Sequence, residues 1–366
     1  MKRLIMLPIA IAVVFGLYYA INNELVSDII PDEFVTKSYT EELVVPEEIA
    51  ETVSERRFIT SIDIDYLRTL EIDSDEPRIE EGLSPGVNYN RYIVSYYSEG
   101  SKIYGLLTVP NEEAPKEGYP AIIFNHGYIP PSQYATTQKY ISYVDNLARN
   151  GFVVFKIDLR GHGESGGIPN GTYFSNGYTI DAIHALRSLQ KLDYVNGESI
   201  GMWGHSMAGN LVLRAALVEE DIKAAVIWAG AVYSYEDFTK YRLNDTSYVR
   251  REVSEREQQR RYGSLLVTEE VRKLREEPEE IDFETEFWQN ISLTANINYL
   301  KAPLQLHHAV NDSVVNIGYS RDLAEVLKEN DKEYEIYEYS GGGHNINSPY
   351  FESAMSRTVE FFKENL

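Results

Sequence analysis

The run from Ser199 to Leu217 constrains this chain more than any other stretch. Ser199-Ile200-Gly201-Met202-Trp203 is an apolar strand pattern, Gly204-His205-Ser206-Met207-Ala208-Gly209 is a turn of small residues, and Asn210 to Leu217 has helical spacing. G-x-S-x-G in that setting predicts a sharp strand-to-helix turn with a serine hydroxyl exposed at its apex, beside a helix N-terminus. Small residues at 204, 208 and 209 follow from sterics, because larger side chains there would strike the neighbouring strand or helix. A chance glycine-rich turn would carry the same letters without the chemistry. The rest of the chain has to decide between the two.

From about residue 87 the pattern alternates between strands and helices. Tyr89 to Gly100 and Ser101 to Pro110 read as a hairpin, Ala121-Ile122-Ile123-Phe124-Asn125-His126-Gly127 as a buried strand entering a turn, and Thr136 to Asn150 as a helix closed by Gly151. Further strands are expected at 152–159, 222–230, 303–310 and 333–340, with helices between them. This alternation predicts an α/β domain, a mostly parallel sheet with helices on both faces. Residues 240–284 interrupt it with 10 basic and 12 acidic side chains in helix-forming sequence, which reads as a charged helical insertion.

The N-terminus is organised differently. Lys2 and Arg3 precede an apolar run from Leu4 to Ala20, about 26 Å long as a helix. Residues 1–23 are expected to act as an uncleaved export anchor, with a cleaved signal or a buried helix as alternatives, which puts the body outside the cytoplasm. Residues 24–81 carry 18 acidic and 5 basic side chains, and 24–86 are expected to form an acidic tether and extension, part of which docks on the domain at 87–366. The formal net charge of −23 argues against nucleic acid as a partner, and the lack of cysteine excludes a thiol nucleophile and cysteine-held metals.

A serine hydroxyl needs a base, and the chain has seven histidines. His126, His162 and His205 lie in or before the turn motifs, His184 sits mid-helix, and His307 and His308 are adjacent in a strand. His344, in Ser340-Gly341-Gly342-Gly343-His344, follows the last strand on a loop able to fold back over the sheet edge. The expected orienting acid is Asp312, after the next-to-last strand, with Asp237 as its rival. The order Ser206, Asp312, His344 differs from that of chymotrypsin or subtilisin. The expected oxyanion donors are the backbone N–H of Met207 and, from the turn after the early strand, Tyr128 in preference to Gly127. The loop Asp158-Leu159-Arg160-Gly161-His162-Gly163 reads as structural, fastened by Asp158 and Arg160.

Together Asn125-His126-Gly127-Tyr128, Asp158 to Ser165, Gly204 to Gly209, Asn311-Asp312 and Gly341 to His344 resemble the α/β-hydrolase superfamily, in particular the catalytic domain of the prolyl oligopeptidase family and its esterase-like relatives. The resemblance implies Ser206 as nucleophile, Asp312 as acid, His344 as base, and Tyr128 and Met207 as oxyanion hole. It implies a helical lid where the charged insertion falls, at about 233–295, and no cofactor or metal. It implies a small-molecule ester or short peptide as substrate. The stretch between the anchor and the domain is too short for the β-propeller that those oligopeptidases carry. An acyltransferase and a non-catalytic binding protein are the alternative readings.

Overall fold

A computed structural model describes residues 61–241, 270, 273, 274 and 277–366. The expected anchor, the tether up to residue 60 and the centre of the charged insertion lie outside these residues. Among the described residues no helix is long and apolar enough to cross a membrane.

The strands are β1 (Arg78–Leu83), β2 (Tyr89–Ser98), β3 (Ser101–Pro110), β4 (Tyr119–Asn125), β5 (Val153–Ile157), β6 (Val195–His205), β7 (Ile222–Trp228), β8 (Leu304–Ala309) and β9 (Tyr334–Tyr339). They form one nine-stranded sheet in the order β1-β2-β3-β5-β4-β6-β7-β8-β9. The pairs β1–β2, β2–β3 and β3–β5 are antiparallel, and every later pair is parallel. The β2–β3 hairpin turns at Glu99 and Gly100, both at positive φ, which matches the twist of a two-residue hairpin. β1 falls in the stretch assigned above to the N-terminal extension. Its residues are almost all exposed, so it lacks the alternation by which an edge strand is recognised.

Five longer helices cover the sheet: α1 (Ile141–Arg149), α2 (Gly177–Leu189), α3 (Met207–Val218), α4 (Gly318–Glu329) and α5 (Phe351–Asn365). Side chains alternate along the central strands to feed two apolar clusters. Ala121 and Ile123 join the cluster containing Leu211 of α3 and Leu186 of α2, while Ile122 and Phe124 join the one containing Leu147 of α1 and Phe362 of α5. α1 closes as its sequence predicts: Gly151 has φ +94 and donates its N–H to the Ala148 carbonyl at 3.2 Å.

The segment just before β1 docks on this body. Ile62, Ile64 and Leu67 are buried, and the Arg68 guanidinium donates to the Leu217 carbonyl at 2.6 Å, in the last turn of α3, where helical carbonyls lack partners. The loop at 158–165 is a fastener. Arg160 forms ion pairs with Asp181 at 2.7 Å and Glu99 at 2.8 Å, and Asp158 accepts hydrogen bonds from Tyr134 and Thr136.

Candidate active site

Ser206 stands between β6 and α3 with φ +56 and ψ −122, a conformation that a residue with a Cβ rarely adopts. Close packing holds it there. A Cβ on Gly204 would lie 2.7 Å from the Ala208 carbonyl oxygen and from Val212, and one on Gly209 would lie 2.6 Å from Gly230 Cα. The Ser206 N–H donates to the Trp228 carbonyl at 2.8 Å, tying the turn to β7.

The acid and base come from the ends of the next two strands. Asp312 follows β8, and its side chain has no solvent access. One carboxylate oxygen accepts the N–H groups of Val314 at 2.8 Å and Val315 at 3.0 Å; the other is 2.7 Å from His344 Nδ1. Burial alone would raise the Asp312 pKa. The donors on it, His308, His344 and the Val315 N–H, outweigh burial and hold the carboxyl well below the usual carboxylate range.

His344 lies on a short 3₁₀ turn after β9, reached through Gly342 at φ +98 and Gly343 at φ +60, where glycine avoids the Cβ clash. The Gly343 N–H donates to the Asn311 side chain at 2.9 Å. An ionised carboxylate can only accept, so Nδ1 of His344 carries the proton and the neutral ring has its lone pair on Nε2. The rival acid, Asp237, is buried and pushed up to about 7 by desolvation and by Asp322; among the described residues, the carboxylate bonded to His344 is that of Asp312. The Ser206 hydroxyl has no hydrogen-bond partner among the described residues. The His344 ring packs 4.7 Å from the ring of His205, the residue preceding Ser206, so the base is beside the turn without being bonded to the serine. Such bonds often close only once substrate is bound.

The early turn after β4 packs against the same place. A Cβ on Gly127 would be 3.0 Å from the His205 carbonyl oxygen and 3.1 Å from Ser206 Cβ. The Gly127 N–H is committed to the Tyr140 hydroxyl at 2.9 Å. The N–H groups of Tyr128 and Met207 have no acceptor among the described residues. His126 is fully buried, stacks on Tyr134 at 4.4 Å and donates from Nδ1 to the Gly127 carbonyl at 2.7 Å; burial holds its pKa well below normal, so it is a neutral wedge under the turn.

Two side chains that sequence reasoning did not assign join these loops. The Tyr140 oxygen accepts from Gly127 N–H, and its hydroxyl is 2.8 Å from His205 Nδ1; His205 Nε2 is 2.9 Å from the His344 carbonyl oxygen. A carbonyl accepts only, so Nε2 carries the His205 proton and Nδ1 takes the one from Tyr140. Burial pushes the His205 pKa down to about 3 and keeps this tautomer neutral. His205 was visible inside the motif. Tyr140 was not, since nothing local marks a tyrosine 13 residues after Gly127 as its partner. His307 is taken up by Tyr339 and Gln305 at 2.8 and 2.6 Å.

A family model described as serine aminopeptidase, S33, matches residues 119–348, from the start of β4 to just beyond His344. The chain belongs to this family. It carries an α/β-hydrolase catalytic domain and is a hydrolase of peptidase and esterase kinship. An uncharacterized peptidase, YtmA, of Bacillus subtilis is 29% identical over 281 residues, 75% of this chain and 92% of that protein. Dipeptidyl peptidase 8 of Homo sapiens is 26% identical over 73% of this chain, which spans only 27% of that protein's length. Among solved structures, an acetyl xylan esterase from Paenibacillus sp. R4 shares the fold with a TM-score of 0.57 at 19% identity, covering 81% of this chain and 91% of the esterase. An acylaminoacyl peptidase of Pyrococcus horikoshii aligns at 0.55 and 21% identity over 76% of this chain and 42% of its own.

Proposed function

We propose that this S33 protein is a serine hydrolase that cleaves an ester or a peptide-like amide through an acyl-enzyme. Ser206 Oγ attacks the substrate carbonyl and passes its proton to His344 Nε2. The N–H groups of Tyr128 and Met207 receive the oxyanion, and Asp312 stabilises the imidazolium. Collapse breaks the carbonyl–leaving-group bond, the leaving group takes the proton from His344, and water then releases the acyl group with His344 again as base.

The observation that carries this reading is the closed bond from His344 Nδ1 to buried Asp312 at 2.7 Å, which directs the basic nitrogen away from the acid on a loop packed beside Ser206. The unclaimed Tyr128 and Met207 N–H groups support it. The substrate is proposed to be a small ester or short peptide, in keeping with a similar esterase and similar peptidases, and the body of the protein to act outside the cytoplasm behind its N-terminal segment.

Acyl-nitrophenyl esters and aminoacyl-nitroanilides, assayed side by side, test the class of bond. Turnover of either set, lost in Ser206→Ala, is expected. Equal rates for Ser206→Ala and the natural chain would end the proposal.

A further inference from the structure

His308 is buried in β8 and plays no part in the mechanism above. Its Nδ1 is 2.7 Å from the Ser320 hydroxyl on α4, and its Nε2 is 3.1 Å from the Val315 carbonyl oxygen and 3.3 Å from Asp312 Oδ2, the same oxygen that His344 uses. The Val315 carbonyl accepts only, so Nε2 carries a proton and points at the acid's turn. Val315 in turn gives its own N–H to Asp312 Oδ1 at 3.0 Å. The turn 312–315 is therefore gripped at two points, and the grip is anchored in α4. Neither His308 nor Asp312 has any side-chain exposure, so solvent does not compete for these groups.

We propose that His308 is a positioning residue for the acid–base pair: it holds the Asp312 turn, shares Asp312 Oδ2 with His344, and so sets how strongly the acid supports the imidazolium. This deepens, and rests on, the triad reading above. The His308 N–H, given to the Val315 carbonyl, lies 3.3 Å from Oδ2, so its positive end tempers the carboxylate that His344 sees. The other ionisable groups around His308 are His205 behind the elbow and Glu338, its register partner on β9, which Arg321 of α4 neutralises at 2.7 and 2.8 Å. Glu338 and Arg321 face outward as a pair, which leaves Asp312 as the charge that His308 addresses.

The test is a pH profile of kcat/KM for full-length His308→Leu, His308→Gln and Ser320→Ala, with thermal melts as a check on folding. His308→Leu fills the space but donates nothing. Its kcat is expected to fall by about ten- to a hundredfold with KM little changed, and the acid limb to move upward by about half a unit. His308→Gln places an amide N–H near the former Nε2 and is expected to restore most of both. Ser320→Ala, which only frees the ring, is expected to move the limb the same way by less. A folded His308→Leu with natural kcat and an unmoved limb overturns the proposal, as does equal loss in the Leu and Gln variants with the limb in place, the mark of packing alone. If His308→Leu does not fold, an unmoved limb in Ser320→Ala overturns it. Ser206→Ala run alongside separates the two readings: activity surviving there removes the triad, while its loss with unaffected 308 variants removes only this inference.

Discussion

The Nδ1 of His344 lies 2.7 Å from Oδ2 of Asp312, across 32 residues of chain and the whole of α4 and β9. Because the acid is held below the usual carboxylate range, it stays ionised throughout the range in which an imidazole titrates. The acid limb of kcat/KM is therefore not expected to report Asp312. Activity should fall as pH is lowered from about 8 to about 5, because a histidine general base must be neutral to take the serine proton. A flat profile there would contradict a histidine base.

Asp312→Asn should keep the shape of the site and lose its chemistry. An amide nitrogen facing Nδ1 favours the wrong tautomer, and kcat is expected to drop by about 10⁴. Steady-state rates with a melt measured in parallel would check it. A loss under about tenfold would shift the role to another carboxylate.

The Tyr140 hydroxyl joins the turn of the proposed oxyanion donor to the elbow. Tyr140→Phe would strand His205 Nδ1 and the Gly127 N–H, both buried in the contact. A stability loss of about 1–3 kcal/mol is expected, with a fall in kcat larger than any change in KM. Urea melts and rates would show it. Unchanged values for both would mean that the bond holds nothing in place.

Gly209→Ala should be destabilising although it adds a single carbon. The new Cβ meets Gly230 Cα at 2.6 Å, backbone against backbone, with no flexible side chain to give way. A loss of about 1–3 kcal/mol is expected in denaturant melts. Gly151→Ala is the contrasting case: nothing lies within 4 Å, and the cost there comes from its φ of +94 alone.

Asp158 and Lys156, under the loop that carries Tyr134 and Thr136, should leave a mark on stability. Burial raises Asp158 to about 6 against its hydrogen-bond donors, and burial lowers Lys156 to about 8. The folded state therefore holds more protons at Asp158 than the unfolded chain between about pH 4 and 6, and stability from this group falls as pH rises through that window. Lys156 acts oppositely: the unfolded chain holds more protons between about pH 8 and 10.5, so stability rises with pH there. Asp158→Asn should remove the acid window and, by removing the charge that holds Lys156 up, extend the alkaline one to lower pH. Melting temperatures across pH for both proteins would check this.

Much of the fold was legible because its signals are local. The elbow at 204–209, the strands β2 to β9 and the cap at Gly151 each follow from spacing and small residues within one short window. The order of Ser206, Asp312 and His344 could also be read, since each follows a strand end. The missed parts are contacts between distant segments. β1 escaped because an exposed edge strand has no apolar alternation. Tyr140 and His205 escaped as partners because a hydrogen bond between residues 13 to 139 apart leaves no local pattern, and His308 escaped because a buried histidine in a strand reads the same whether it packs or positions.

Labelling with a fluorophosphonate, followed by mass mapping of the adduct, tests the central claim most directly. The account predicts a single covalent adduct on Ser206, absent from Ser206→Ala and slowed by His344→Ala. An adduct on another residue, or labelling that persists in Ser206→Ala, would contradict it.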